Sequence, residues 1–301
     1  MVIVSFSQIL TMVILMAIGI LCYKLQLVDE ETNRKLSSLV LLLVNPIVIF
    51  MSYLRPFEAS LLNGMVIALV LATISFAIGI TVTHFAYRAR AGKDSAVEKF
   101  AGVYSNCGFI GIPLINGVVG SEGVFYLTAY LTLFNLLVWT HGVTIMSGNR
   151  NIAFIKKALI SPPIIAVFLG FTFFLLGISV PDVIKYPMQL LSDMNTPLAM
   201  IVAGISISKT NILKILKDIR IYKLCFIRLI LIPILFVGIV NLFDIPVLIT
   251  ITIIIATGCP TAANIILFAH RYNKDYLYGA ELFATTTIIS MGTIPLLLML
   301  V

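Results

Sequence analysis

Long apolar runs alternate with short polar stretches along the whole chain. A helix needs about twenty apolar residues to cross the hydrocarbon core of a bilayer. Ten runs meet that length, at roughly 5–23, 36–54, 61–87, 100–120, 123–146, 162–179, 187–207, 221–243, 246–269 and 276–300. The pattern predicts an all-α polytopic membrane protein of ten transmembrane helices. Two runs are not uniformly apolar. The fourth carries Ser105-Asn106-Cys107-Gly108-Phe109-Ile110-Gly111-Ile112-Pro113-Leu114, and the ninth carries Gly258-Cys259-Pro260-Thr261. Proline lacks a backbone N–H and its ring clashes with the carbonyl four residues back. Groups freed in this way are tolerated in hydrocarbon only when buried in protein or lining a watery cavity. Both runs are therefore expected to break, at Gly111–Pro113 and at Gly258–Pro260.

These features repeat. Asn45-Pro46 in the second run is matched by Asn195-Thr196-Pro197 in the seventh, with Pro46 and Pro197 separated by 151 positions and Pro113 and Pro260 by 147. Each half reads span, Asn/Pro span, span, broken span, span. Five is odd, so the second copy enters the membrane from the opposite face, the inverted-repeat arrangement of many secondary transporters. The expected division is a first five-helix repeat over 1–146, a connector over 147–162 and a second repeat over 163–301. The connector, with Arg150, Lys156 and Lys157 among apolar residues, suits a short helix lying on the membrane surface.

Basic residues fix an orientation. The odd-numbered loops hold Lys24, Arg34, Lys35, Arg88, Arg90, Lys93, Lys99, Arg150, Lys156, Lys157, Lys209, Lys214, Lys217, Arg220, Lys223, Arg271 and Lys274, seventeen of the 20. The even loops hold only Arg55 and Lys185, and Arg228 falls inside the eighth run. Positive loops stay cytoplasmic, so the odd loops are placed inside the cell and both termini outside, in a plasma membrane.

Composition narrows the class further. Of 301 residues 60% are hydrophobic and 11% charged, with a mean hydropathy of +1.10, far from a soluble domain. The net charge of +7 lies in loops rather than on one basic face with interleaved aromatics, which excludes a nucleic-acid partner. Cys22, Cys107, Cys225 and Cys259 form no Cys-x-x-Cys pair and read as free, packed thiols. No basic residue precedes Lys24, so the first run reads as a retained span rather than a cleaved signal. No His-Glu-x-x-His, Gly-x-Ser-x-Gly or paired intramembrane aspartate supports an enzyme, and no metal or cofactor site is indicated.

A broken helix supplies two half-helices. The N-terminal end of each carries unpaired N–H groups and roughly half a positive charge, so two such ends facing one cavity make an anion site. Asn106 and Asn264 are the candidate neutral donors to a carboxylate, with Ser105, Cys107 and Thr261 beside them. Gly108, Gly111 and Gly258 would let the chains cross closely. Asn45 and Asn195 either face the crossing or bond carbonyls freed by Pro46 and Pro197. Asp193, Glu281 and Arg228 are the ionisable candidates for coupling, since charge inside a span is a functional hypothesis. Arg228 follows Lys223 by five positions and is expected to snorkel to the cytoplasmic surface. Glu281 reads either as a proton relay or as a solvated helix start. Interfacial roles are expected for His84 and His141. Thr285, Thr286, Thr287 and Ser290 offer hydroxyls for a sodium ion, so sodium or a proton is the candidate coupling ion.

The decapeptide Ser105–Leu114 resembles the fourth-span signature of the auxin efflux carrier family, the plant PIN proteins and their bacterial relatives. Leu191-Ser192-Asp193 leading to Ala199-Met200 and Gly204 is similar to its seventh span. Arg228 through Pro233 resembles the eighth, and Gly258-Cys259-Pro260 with Phe268-Ala269-His270-Arg271-Tyr272 the ninth. The likeness covers the whole chain and lacks the long central loop of many plant members. It implies a crossover fold like that of bile-acid/sodium symporters and sodium/proton antiporters. Spans 1, 2, 6 and 7 would form a scaffold, and spans 3–5 and 8–10 a mobile transport domain, in a homodimer. By the same likeness Asn106, Pro113 and Pro260 fall at the substrate site and Asn45 lines its cavity. The position before Pro46 is apolar in plant PINs, so the polar Asn45 points away from an aromatic acid and toward a malate- or malonate-like dicarboxylate. The implied function is secondary, elevator-type transport of small organic anions, malate- or malonate-like dicarboxylates or auxin-like carboxylates, bound where helices 4 and 9 cross. A cation/proton exchanger on the same fold is the alternative, disfavoured because neither break contains Asp or Glu.

Overall fold

The computed structural model describes residues 2–87, 93–148, 160–208 and 218–300. Residues 149–159 of the connector, expected as a surface helix, lie outside the described residues. The described residues are mostly helical. The elements in order are α1 (Val2–Lys24), α2 (Glu30–Leu39), α3 (Asn45–Ser52), α4 (Ala59–Ala86), α5 (Lys93–Val103), α6 (Ile112–Leu137), α7 (Val143–Ser147), α8 (Pro162–Leu176), α9 (Asp182–Asp193), α10 (Asn195–Ser208), α11 (Ile219–Phe226), α12 (Ile232–Val240), α13 (Val247–Gly258), α14 (Asn264–Arg271) and α15 (Tyr276–Leu298). Six stretches among the described residues are long and apolar enough to cross a membrane, and Leu10–Lys24, Pro162–Leu176 and Val247–Gly258 are shorter apolar helices. The longest stretch, Cys107–Ser147, is not one rod. It turns at Gly120, whose φ of 78° is open to glycine but strained for a residue with a Cβ.

The outer surface is apolar. On α1, Leu10, Ile14, Ile18 and Leu21 follow one another at helical spacing and are all exposed. Such a stripe is at home in lipid tails rather than in water. Three helices that begin in polar loops are capped by aspartate. Asp29 accepts from the Thr32 amide at 2.7 Å, Asp218 from Arg220 at 2.9 Å and Asp275 from Tyr278 at 2.9 Å, each satisfying an orphan first-turn donor.

Three of the prolines are handled by widened turns. Five-residue π-turns, Val40–Val44, Cys107–Gly111 and Ile227–Leu231, lead directly into α3, α6 and α12, where Pro46, Pro113 and Pro233 occupy an opening position. A π-turn shifts the carbonyl the ring would strike, and an opening position needs no N–H. The expected break at Gly111–Pro113 is therefore corrected: the chain stays helical through Pro113. Its interruption lies earlier, at Tyr104–Asn106.

Two helix pairs sit back to back. α1 packs along α10, and α8 packs along α3. In the first pair the helices nearly touch: a Cβ on Gly204 would lie 2.0 Å from the Met16 carbonyl oxygen, and one on Gly19 2.2 Å from that of Ile201. In the second, a Cβ on Gly170 would lie 2.6 Å from the Tyr53 ring. Small residues drive this kind of association, because lipid offers no hydrophobic force between helices. Gly204→Ala is expected to cost about 1–3 kcal/mol or more through overpacking and to lower the thermal-unfolding midpoint in detergent. Gly238→Ala, where a Cβ meets nothing within 4 Å, is expected to leave that midpoint unchanged.

Candidate functional site

The two interruptions meet. α5 ends at Val103 and the helical path resumes at Cys107, while α13 ends at Gly258 and α14 begins at Asn264. Between them the strands of bare backbone pair as a single antiparallel bridge, Ser105 against Thr261. The Asn106 amide donates to the Pro260 carbonyl at 2.7 Å, and the Ala262 amide donates to the Tyr104 carbonyl at 2.8 Å. Side chains complete the pairing: Thr261 Oγ1 donates to the Ala101 carbonyl at 3.0 Å, and the Thr261 amide donates to Thr286 Oγ1 at 3.2 Å. A helix that stops inside a membrane leaves its last carbonyls without partners. At α5 the Phe100 carbonyl accepts from Tyr104, that of Ala101 from Thr261, and that of Gly102 from Arg228.

The residues singled out from sequence distribute around this bridge unevenly. Ser105, Asn106, Cys107 and Thr261 are buried in it. Asn264, partly exposed, opens α14 on its far side. Asn106 stands ahead of the π-turn at Cys107 without a side-chain capping bond, and its Nδ2 is buried with no partner. Asn45 reaches the same place from α3: its Nδ2 donates to the Gly108 carbonyl at 3.0 Å, so it bonds a neighbouring broken helix rather than a carbonyl freed by Pro46. Its Oδ1, and that of Asn195, are buried without partners. Gly111 faces the opposite break, with a Cβ there 3.4 Å from Cys259 Sγ; Gly258 is packed instead against Leu297 on α15, and Gly108 has ordinary space. Pro260 lies in the ninth-run interruption itself and Pro197 in the first turn of α10. All four cysteines are free.

The coupling candidates part company. Asp193 is exposed at the end of α9, where Gln189 Nε2 donates to it at 2.7 Å. Glu281 is buried in α15, which removes its reading as a solvated helix start. Arg228 does not snorkel: it is 1% exposed, and its guanidinium donates to the carbonyls of Thr257 at 2.8 Å, Cys259 at 3.0 Å and Gly102 at 3.4 Å. The face of a helix that a residue occupies decides its burial, and distance from a loop does not report it. The hydroxyls of Thr285, Thr286, Thr287 and Ser290 donate back to carbonyls of their own helix, leaving lone pairs as their only spare capacity.

Sequence reading missed a hydroxyl network under the bridge. Ser75 and Thr257 are 2.8 Å apart, and the Tyr130 hydroxyl lies 3.5 Å from Ser75 and 3.3 Å from Ser105. Tyr104 bonds His141 at 2.8 Å, so His141 serves the bridge rather than the interface. Glu98, fully buried in α5, accepts from the Tyr278 hydroxyl at 3.1 Å. Ser75, Tyr130, His141 and Thr257 stand in apolar runs and Glu98 in the charged stretch before the fourth run, and only their spatial convergence distinguishes them.

Two cavities bear on the site. One of about 20 Å³ lies where α1 and α10 meet the start of α6 and α15, lined by Met12, Met16, Ile110, Leu114, Met200, Thr287, Ser290, Met291 and Ile294. A larger one of about 440 Å³, with Arg55, Glu58, Glu122 and Tyr126 on its walls, is lined by none of the bridge residues. Thr261→Val is expected to strand the Ala101 carbonyl and cost about 1–3 kcal/mol, read as a lower unfolding midpoint, with Thr285→Val, which touches only its own helix, as the milder comparison.

A family described as "Membrane transport protein" matches twice, over residues 4–153 and 149–298. An uncharacterized transporter from Methanothermobacter thermautotrophicus is 25% identical over 297 residues, covering 97% of each chain. The chain is thus a multi-pass membrane protein belonging to the membrane transport protein family, the auxin-efflux-carrier-like group that its sequence resembles.

Proposed function

We propose that this transporter is a secondary carrier of small organic anions, with malate- or malonate-like dicarboxylates as the leading class. The observation that carries the reading is the bridge between the interrupted helices. Two helical segments begin there, at Cys107 and Asn264, and their leading N–H groups favour negative charge. Asn106 adds a buried amide nitrogen with no partner, a state that an unligated polar group pays for and a carboxylate would relieve. No Asp or Glu occurs between Phe100 and Gly120 or between Pro246 and Arg271, which weighs against a cation as cargo.

Movement in this reading is of the elevator kind, with spans 1, 2, 6 and 7 as scaffold and spans 3–5 and 8–10 as the moving body. Two observations support it. The family match covers the chain in two stretches, 4–153 and 149–298, which divide where the two expected five-span halves do. The small cavity holds about one water, and its walls join Met12, Met16 and Met200 of α1 and α10 to Met291 of α15. Methionine is unbranched and adapts to changing neighbours, which suits a sliding contact. An organic acid enters when the two bodies shift and that contact opens. The membrane is the plasma membrane with both termini outside, as the basic loops imply, and the carrier is a homodimer. Protons are the favoured coupling ion, because Glu98 and Glu281 are buried acids and such residues mark proton routes.

Proteoliposomes loaded with the purified chain are expected to take up labelled malonate or malate under an inward proton gradient, with sodium replaced by potassium making no difference. Asn106→Ala is expected to lower uptake at least tenfold while insertion and unfolding midpoint stay near those of the parent. Absence of uptake across a panel of mono- and dicarboxylates would overturn the reading.

A further inference from the structure

The buried guanidinium of Arg228 has a role that the crossing of two helices does not by itself require. Four half-helix ends converge on the bridge. Two are C-terminal, at Val103 and Gly258, and two are N-terminal, at Cys107 and Asn264. Each end carries roughly half an elementary charge, negative at C-termini and positive at N-termini. Left alone, the four sum to nothing, and the bridge would be indifferent to the sign of its cargo.

The backbone bonds of Arg228 go to the negative ends of this arrangement, and beside them it meets the Tyr130 hydroxyl. Its three carbonyl acceptors are Gly102, one residue before the end of α5, Thr257 in the last turn of α13, and Cys259 directly after it. It reaches both C-termini at once from the π-turn Ile227–Leu231, on a third helix. No carboxylate pairs with it among the described residues. A fully buried guanidinium pays a large desolvation cost, offset here by backbone dipoles instead of an acid. Arginine keeps its charge in proteins and presents several donors in a fixed fork, which is the shape that two converging helix ends need.

Resting on the organic-anion reading above, we infer that Arg228 is the fixed counter-charge that makes the bridge select anions. It offsets the two C-terminal ends, so that the two N-terminal ends are left as a net charge of about +1 facing the cargo. A carboxylate then meets a complementary site although no basic side chain touches it, and a cation is repelled. Arg228 is thus a positioning and specificity-determining residue that acts through the backbone.

The test compares Arg228→Gln and Arg228→Lys in proteoliposomes, using labelled malonate as the charged probe and its uncharged diamide, malonamide, as the competitor. A unit charge acting over about 10 Å at an effective dielectric of about 20 is worth roughly ten- to twentyfold. Arg228→Gln is expected to raise the KM for malonate by about that factor and to leave inhibition by malonamide unchanged. Arg228→Lys, which keeps the charge with fewer donors, is expected to restore most of the malonate KM. Damage to the fold would instead lower kcat and weaken both ligands together. Equal loss of malonate and malonamide in Arg228→Gln, or an unchanged KM, overturns the inference. Should Arg228→Gln not assemble, Arg228→Lys decides alone: a retained preference for malonate over malonamide supports the role, and a lost one overturns it. Failure of the parent protein to take up any organic acid strikes the anion reading itself, a result distinguishable from all of these.

Discussion

A backbone that leaves the helix inside hydrocarbon must find a partner for every amide and carbonyl it releases, since no water is there to supply one. This chain meets that demand by breaking two helices at the same place and setting the breaks against each other. The Ser105–Thr261 bridge is a two-residue piece of β-sheet in an otherwise helical protein. Its bonds run both ways, Asn106 to Pro260 and Ala262 to Tyr104, so neither interruption is stable without the other. The hydroxyl of Thr261 and the guanidinium of Arg228 take carbonyls the bridge cannot reach. Everything placed around the site, from Asn45 on α3 to Thr286 on α15, is bonded to one of the two interrupted chains.

Much of this was legible in the sequence, and the failures have specific physical causes. Apolar run lengths gave the class, and the polar residues within two runs gave the broken helices. Pro260 marked the second break correctly because no widened turn precedes it, so its missing N–H falls in the interruption. Pro113 misled by seven positions. A π-turn absorbs its ring, and the π-turn is a property of the packed helix that no residue in Cys107–Gly111 announces. Asn106 was expected as a neutral donor near a break seven positions further on, and it stands instead at the start of the helical segment. Arg228 was misjudged because snorkelling was inferred from its distance to Lys223, whereas its orientation is set by the carbonyls waiting at the ends of α5 and α13. Glu98 and Tyr130 were not singled out and His141 was read as interfacial, because the partner of each lies on another segment.

Glycine and proline thus have separate uses here. Prolines 46, 113 and 233 sit where an α-helix restarts after a π-turn, and they bend without exposing backbone. Glycines 19 and 204 do the opposite work, bringing two unbroken helices so close that any side chain would strike a carbonyl. The α1–α10 pair is rigid for that reason. The bridge is rigid for another, because its hydrogen bonds link α5, α6, α13, α14, α12 and α15 directly or through side chains.

Between these two stiff assemblies lies the methionine-lined contact of Met12, Met16, Met200 and Met291, held by no hydrogen bond among the side chains that line both of its faces. The distribution of bonds therefore favours one kind of motion over another. Prying the two broken helices apart would unpair the Asn106 and Ala262 amides in a dry interior, and each such group costs about 1–3 kcal/mol. Sliding the bonded assembly past the scaffold breaks none of them and gives up side-chain bonds instead, Asn45 to the Gly108 carbonyl, Tyr53 to Thr128 and Arg55 to Ser121, while one thioether contact is exchanged for another. The elevator displacement proposed for this carrier is the motion that spares the bridge. It also carries Arg228 along with the helix ends it neutralises, so the sign of the site is unchanged on either side of the membrane.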